Sequence, residues 1–502
     1  MQPMPRKSQH EKLTINNIYL MGWTFCFVVL GIKVAQSFCT ALFGNIGSIS
    51  MALLNYGCAF AYFFAPTIMV YFSSARAVMR FFSLEYGFYM LTFTYFIPAL
   101  NLTWSLLHGV SGSILWTCEL VFLAENSTEA DRGWKSGVFW GIYMIGSIIG
   151  NVIIWAFLKY YGIESTGNQT GWLGSVSIMF LALALLDFFG CGFTIFFKDP
   201  FTYNKAAGEE YYRKQKLTRT GNPFRRFIDV LKLFITPKVL TTFFMTFFWG
   251  FGFGYVNGLF TRQIRDTSII GLVIAYNSLL QVIFSFIDGY FIDKFGHYCV
   301  MIFTNINYLL GIIVSIYSDN TQDWLLYLAS TLFAIGDTGY QTICPVLMTD
   351  YFEDPESVNS IFRFMECFSI AMGYTIAPFF VEEGETISSH QQYINESLIT
   401  IGFLILSQIS YSLFYAWYVV PHNKLMQQQK CIEMTSGSDM KCEINTIENK
   451  TVSDDSKISP SLTPSSPNKD NLPNETVSLN SIPVPPSSDI EHKSDVNINQ
   501  TQ

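Results

Sequence analysis

Lys33, Glu85, His108, Glu119, Asp187, Asp337, Arg363 and Glu366 each lie within a long run of apolar residues. Moving a charge from water into hydrocarbon is costly, so such side chains pair or face a polar cavity, and each marks a candidate functional site. Their chemistry is that of binding and proton exchange. A carboxylate takes up a proton or holds a cation, Lys and Arg hold anions, and His108 can change charge near neutral pH. Covalent catalysis has no footing: the chain has no G-x-S-x-G, no Walker loop, no H-E-x-x-H and no Cys/His cluster at metal-ligand spacing, and its six histidines are scattered. The chain reads as a non-enzyme without metal or organic cofactor. Two uses remain open for the buried charges: structural pairs that hold helices together, and a proton-linked or substrate-binding set.

The elements that must position them are membrane spans. Half of the 502 residues are hydrophobic and 14% are charged, against roughly 25% in soluble domains. Apolar runs of about 20 residues, the length that crosses a hydrocarbon core as a helix, recur at 17–39, 46–71, 77–100, 102–124, 135–158, 172–197, 239–260, 267–288, 298–318, 323–346, 358–380 and 398–420. The chain is therefore expected to be an all-α polytopic membrane protein of twelve spans. At about 1.5 Å per residue, Lys33 and His108 fall on the outer side of the midplane. Glu85, Glu119, Asp187, Asp337 and Glu366 fall on the inner side. Lys33 and Glu119 then differ by about 15 Å in depth, too far to pair, whereas Arg363 with Asp337 or Glu366 is credible.

Residues 198–238 hold ten Lys and Arg, six spans precede them, and six follow. Lys and Arg mark the cytoplasmic side. With both termini inside, the opposite loops carry only Lys159, Arg262 and Arg265, so this orientation is favoured. The charged island around Glu125, Asp131 and Lys135 is then cytoplasmic and its sequon at Asn126 silent. The sequons at Asn168 and Asn395 face outward and are N-glycosylation candidates; Asn101 lies too near the bilayer. The expected organisation is a cytoplasmic N-terminus (1–16), a six-helix bundle (17–197), a basic cytoplasmic loop (198–238), a second six-helix bundle (239–420) and a cytoplasmic tail (421–502). The tail is rich in Ser, Pro, Asn and Asp and should be disordered. In the loop, "NPFRRFIDVLKLF" spaces Phe224, Phe227, Ile228, Leu231 and Phe234 as one helix face, suited either to the inner leaflet or to packing on protein. Cys26, Cys58, Cys118, Cys191 and Cys344 read as small buried hydrophobes.

Between spans eight and nine, "DGYFIDKFG" places Gly289, Asp293, Lys294 and Gly296 as G-x-x-x-D-[RK]-x-G. With the two six-span halves, this loop resembles the major facilitator superfamily, whose fold is two pseudo-symmetric six-helix bundles. Gly296 permits a tight reversal, and Asp293 suits a neighbouring helix N-terminus, which the pseudo-symmetry implies is that of span five, near Arg132 and Lys135. The first-half counterpart, "YFSSARAVMR", lacks the acid. The resemblance also implies that spans one, four, seven and ten line a central cavity, which nominates Lys33, His108, Glu119 and Asp337. Span seven adds glycines at 250, 252, 254 and 258, which permit close approach or bending.

Trp116-Thr117, Glu119, Asn126-Ser127, Gly137, Trp140 and Gly150-Asn151, together with Ala35-Gln36 and "GSISMALLNY", are similar to the Unc-ninety-three-like family, the ion-channel-regulatory branch of that superfamily. Gln36 thereby joins Arg363 and Glu366 among the candidate residues. The family's roles are divided. The resemblance implies either a transporter of an unknown small solute, with a proton as candidate coupling ion, or a partner of a channel or receptor membrane protein. A plasma-membrane or endolysosomal address fits both, and no nucleic-acid partner is expected.

Overall fold

A computed structural model of the chain describes residues 9–68, 72, 74–128, 131–161, 169–202, 205, 208–209, 213, 223–264, 266–318, 323–352, 355–376, 390–425 and 427–428. They lie in a first unit, Met1–Asp439. The second unit, Met440–Gln502, lies outside the described residues, as does most of the tail expected to be disordered.

Spans one and two are one helical path folded back on itself. Gln9–Val28 turns at Val29 into Leu30–Tyr62, and the reversal falls at Gly44, with φ 55° and ψ −130°, a conformation that a side chain would oppose. The remaining spans are Ala75–Thr94 (three), Pro98–Glu125 (four), Arg132–Tyr161 (five), Ser175–Phe193 (six), Phe243–Gly254 extended through Gln263 (seven), Thr267–Phe295 (eight), His297–Tyr317 (nine), Asp323–Tyr351 (ten), Pro355–Ile376 (eleven) and His390–Phe414 (twelve). Among the described residues, seven stretches, Gln9–Tyr62 among them, are long and apolar enough to cross a membrane on composition alone. Spans three, seven, ten and eleven are not, being interrupted or bearing polar residues on buried faces. One short strand pair departs from the all-helical expectation: Tyr95–Phe96 (β1) runs antiparallel to Gly171–Trp172 (β2) and ties span three to the approach to span six.

The packing repeats itself. Span two packs on four as eight packs on ten, three on six as nine on twelve, and one on five as seven on eleven. This is the two-bundle pseudo-symmetry, and the bundles meet where span two crosses eleven and span five crosses eight. At the second crossing, a Cβ on Gly271 would stand 2.5 Å from the Asn151 carbonyl oxygen, so the backbones all but touch. Ser147 and Ser278 share a hydrogen bond there at 2.9 Å.

Two boundaries differ from expectation. Span one reaches back to Gln9, because Thr14 and Asn17 are polar yet buried through bonds to Lys135, Asn126 and Lys198; hydropathy alone cannot see this. After Phe414 the helix winds on to Leu425, past the expected end at 420. The end of the molecule that holds Gln9 is called the near side below, the other the far side. On the near side, the helix Pro223–Phe234 packs on protein. Phe227 stacks on Phe64 at 5.2 Å and meets Phe63 at 5.8 Å, Val230 is buried, and Phe234 meets Phe364 at 6.0 Å. The helix thus straddles spans two and eleven.

Candidate functional site

Span seven reaches the site only because it is stripped of side chains on one face. A Cβ on Gly250 would stand 2.1 Å from the Glu366 carbonyl oxygen, and Gly254 lies against Gly373. Directly beyond, Tyr255–Phe260 widens into a π-helical turn, a distortion often found at functional sites. That turn presents Asn257 to a cavity bounded by Phe253 and Val256, Asn277 and Gln281 of span eight, Tyr308 of span nine, and Phe333 and Asp337 of span ten.

The cavity is lined with amides around one acid. Asp337 is 5% exposed. Its Oδ2 accepts from Gln281 Nε2 at 2.9 Å and from Gln341 Nε2 at 3.0 Å. Gln281 also donates to Asn277 Oδ1 at 2.9 Å, and Asn277 donates to the Ser330 carbonyl at 2.8 Å. Asp337 Oδ1 and the Tyr308 hydroxyl are buried with no hydrogen-bond partner among the described residues. Such groups are rare and costly inside proteins. The other bundle closes the wall. Ser37 donates to Asn257 Oδ1 at 3.4 Å, and Lys33 sets its ammonium 5.0 Å over the Phe253 ring, within electrostatic reach of Asp337. Gln36 stands beside them with a buried, unbonded Oε1 while its carbonyl accepts from Tyr374 at 3.0 Å. The depth count had set Lys33 and Asp337 on opposite sides of the midplane. The structure brings them to one cavity. The space among these groups is about that of a water molecule.

Toward the near side, Arg363 Nη1 holds Glu366 Oε2 at 2.8 Å and lies over Trp249 at 5.9 Å. Glu119 of the other bundle is 2% exposed, has an Oε1 with no hydrogen-bond partner among the described residues, and is within electrostatic reach of Arg363. His108 is placed elsewhere. Its Nδ1 is 2.6 Å from Glu85 Oε2, and its ring stacks on Tyr89 at 4.5 Å, inside the first bundle between spans three and four. Asp187 accepts from the Gly31 amide at 3.3 Å, just past the break at Val29. On the far side Arg262 donates to Asn45 Oδ1 at 3.2 Å, next to the turn between spans one and two.

The family-motif residues build a near-side clasp and a wall. Asn126 is 1% exposed; its Oδ1 accepts from Asn17 Nδ2 at 2.8 Å and its carbonyl from Lys135 Nζ at 2.7 Å. Asn17 Nδ2 also donates to the Lys198 carbonyl at 2.8 Å, joining spans one and six. Lys135 bonds Asp131 at 2.6 Å. Burial works against the Asp131 charge, but hydrogen bonds from Lys135 and Thr128 outweigh it and hold the carboxyl down at about 2. Lys135 is thus engaged within its own loop; the side chains of Asp293 and Arg132, its expected partner and its companion, lie outside the described residues, as does Asn168. Ser127 follows Asn126 at the end of span four, its amide 3.4 Å from the Ala124 carbonyl. Trp116 stacks on Trp140 at 5.9 Å and meets Phe25 edge-on at 5.1 Å; Thr117 donates to the Ser113 carbonyl. Gly150 lies against Leu30 and Val34, whereas nothing crowds Gly137 or Gly289. Asn151 is buried, its amide nitrogen on the Ser147 carbonyl. Gly296 takes φ 80° at the start of span nine, and Lys294 beside it is exposed over Phe295. Asn395 is exposed, but its sequon is wound into span twelve, with Ser397 fully buried against Tyr255.

Asn257, Asn277, Gln281, Gln341 and Tyr308 carry no charge and escaped a search for ionisable groups. One signal was available: Asn277/Gln281 and Asp337/Gln341 are polar pairs four apart in apolar runs, hence on one helix face.

Residues 13–373 and, in a second match, 243–429 fit the sequence profile of the Major Facilitator Superfamily. The chain belongs to the major facilitator superfamily. It is 22% identical over 412 residues to the UNC93-like protein MFSD11 of Xenopus tropicalis, across 72% of this chain and 90% of that protein. It is 19% identical over 417 residues to the putative potassium channel regulatory protein unc-93 of Caenorhabditis elegans, across 74% of this chain and 58% of that one. It is an UNC93-like member of the superfamily and a transporter-like, multi-pass membrane protein. Among solved structures, the nucleoside transporter NupG superposes with a TM-score of 0.58 at 11% identity, over 82% of this chain and all of that one. The partially occluded, inward-open xylose transporter XylE from E. coli gives 0.57 at 12%, over 79% and 97%. At such identities the likeness to these facilitators concerns the fold alone.

Proposed function

We propose that the chain carries a small polar solute across the membrane through the cavity around Asp337. The observation that carries this is a carboxylate oxygen and a tyrosine hydroxyl left unbonded at a bundle interface, among four amides and opposite a cation from the other bundle. Groups desolvated without partners favour an occupant that supplies them. Amides and ring faces suit a neutral or zwitterionic solute with several hydrogen-bonding groups. Asp337 and Lys33, on opposite bundles, supply charges by which a proton or a charged solute group can shift the balance between open states. The near side is the cytoplasm in this reading, supported by the Lys and Arg of residues 198–238. Uptake into proteoliposomes from a broad solute panel tests it: saturable uptake that Asp337→Asn removes is expected, and protein that moves no member of the panel overturns it.

A second reading is favoured by the role for which the Caenorhabditis elegans relative is named and by the missing acid in the first-half loop. Here the same fold serves as a non-transporting regulator of a potassium channel or another membrane protein. Purification from mild detergent should then yield a second membrane protein in fixed ratio, and its absence counts against that reading.

A further inference from the structure

Spans two and eleven belong to different bundles and run antiparallel along each other. Their contact is a ladder. Tyr56 and Thr375 share a hydrogen bond at 3.2 Å, the rings of Tyr56 and Phe368 lie 5.6 Å apart, and Phe60 and Phe63 meet Phe364 at 5.8 and 4.8 Å. At the middle rung two thiols face each other. Cys367 Sγ is 3.6 Å from Cys58 Sγ, and both are packed with Tyr62, Trp116 and Phe368.

We infer that Cys58 and Cys367 form a reversible disulfide, made by hydrogen peroxide, that pins the two bundles together on the near side. A disulfide needs sulfurs about 2.05 Å apart, so the side chains must close by only about 1.5 Å. One thiolate attacks a peroxide oxygen. The O–O bond breaks, a sulfenic acid forms, and the departing hydroxide leaves as water with that thiol's proton. The second thiolate attacks the sulfenyl sulfur. The S–O bond breaks, and the second hydroxide leaves as water with the second thiol's proton. The sulfurs give up two electrons and the peroxide oxygens take them. Peroxide is small and uncharged and can enter the membrane. Glutathione is large and charged and cannot, so a bond formed here outlasts an exposed one. The consequence for transport rests on the reading above: opening to the near side requires spans two and eleven to part. Formation of the bond does not depend on it.

The test uses full-length protein in proteoliposomes, keeping Cys58 and Cys367 as its only cysteines, with a protease site inserted between residues 214 and 222. After peroxide, thiol blocking and cleavage, the halves should stay together on a non-reducing gel and separate with dithiothreitol. Cys58→Ser and Cys367→Ala should each abolish the cross-link. Halves that separate after peroxide, from protein whose thiols are still free to alkylate on unfolding, overturn the proposal. Backbone hydrogen exchange around Asp337 should slow on oxidation and recover on reduction; unchanged exchange in cross-linked protein overturns the lock. Uptake by the reduced protein reports separately on the transport reading: if no solute moves, that reading fails while the gel and the exchange data still decide this one.

Discussion

Asp337 is held by one oxygen and left open at the other, and this makes its charge separable from its shape. Asparagine in its place keeps an oxygen for Gln281 and Gln341 but removes the charge. Asp337→Asn is therefore expected to reach the membrane at near wild-type level and to lose at least about tenfold in uptake, or about 1.4 kcal/mol. Transport assays beside expression blots check this, and full uptake by the variant removes the charge from the mechanism. Glu119 and Glu366 divide differently. Glu366 is the direct partner of Arg363 at 2.8 Å, and removing it leaves a half-buried guanidinium without its acceptor. Glu119 acts on Arg363 only through space. Glu366→Ala should lower the melting temperature in detergent more than Glu119→Ala does, and Glu119→Gln should leave it unchanged; the reverse order contradicts this division of roles. The acids and cations were legible in the sequence because charge in an apolar run is conspicuous. Their partners were not, since counting depth along straight helices set Lys33 apart from Asp337 and His108 apart from Glu85 on the preceding span.

At the scale of elements, hydropathy counted the spans, and the glycine-rich run of span seven already announced a close approach. Gly250→Ala puts a Cβ 2.1 Å from a backbone carbonyl that cannot swing away. Spans seven and eleven must then separate, at a cost of about 1–3 kcal/mol for overpacking. A lower melting temperature with Gly137→Ala unaffected is the expected pair of results, since nothing crowds Gly137. The amphipathic helix Pro223–Phe234 could not be assigned from sequence to lipid or to protein, because both bury the same face. The rings of Phe63, Phe64 and Phe364 decide for protein. The island between spans four and five shows the same limit. Asn126 reads as a sequon, yet its amide is consumed by Asn17. Asn126→Gln should leave any glycan shift intact while lowering folded yield by an amount worth about 1–3 kcal/mol. Asn168→Gln should remove the shift if residue 168 faces the lumen; a glycan on Asn126 overturns the proposed orientation.

For the whole molecule, the repeated packing means that each half has its own set of neighbours, meeting the other at two helix crossings and around the cavity and the far-side turn. One bond sets when the first half becomes whole. Asn17, near the start of span one, holds the Lys198 carbonyl and takes the Lys198 amide at 3.1 Å, so the ring of six helices is fastened between its earliest and its last-made residues. Chains are synthesised from the N-terminus and bundles fold as units. A nascent chain halted before Lys198 can bring span one against span six, with Asp187 on the Gly31 amide, but it lacks this clasp. One halted well past it carries a finished half, ready before any of the second has been made. The clasp is thus a clock as much as a contact: arrested chains ending near residue 190 should be open to protease between spans one and six, and those ending near 235 should resist it.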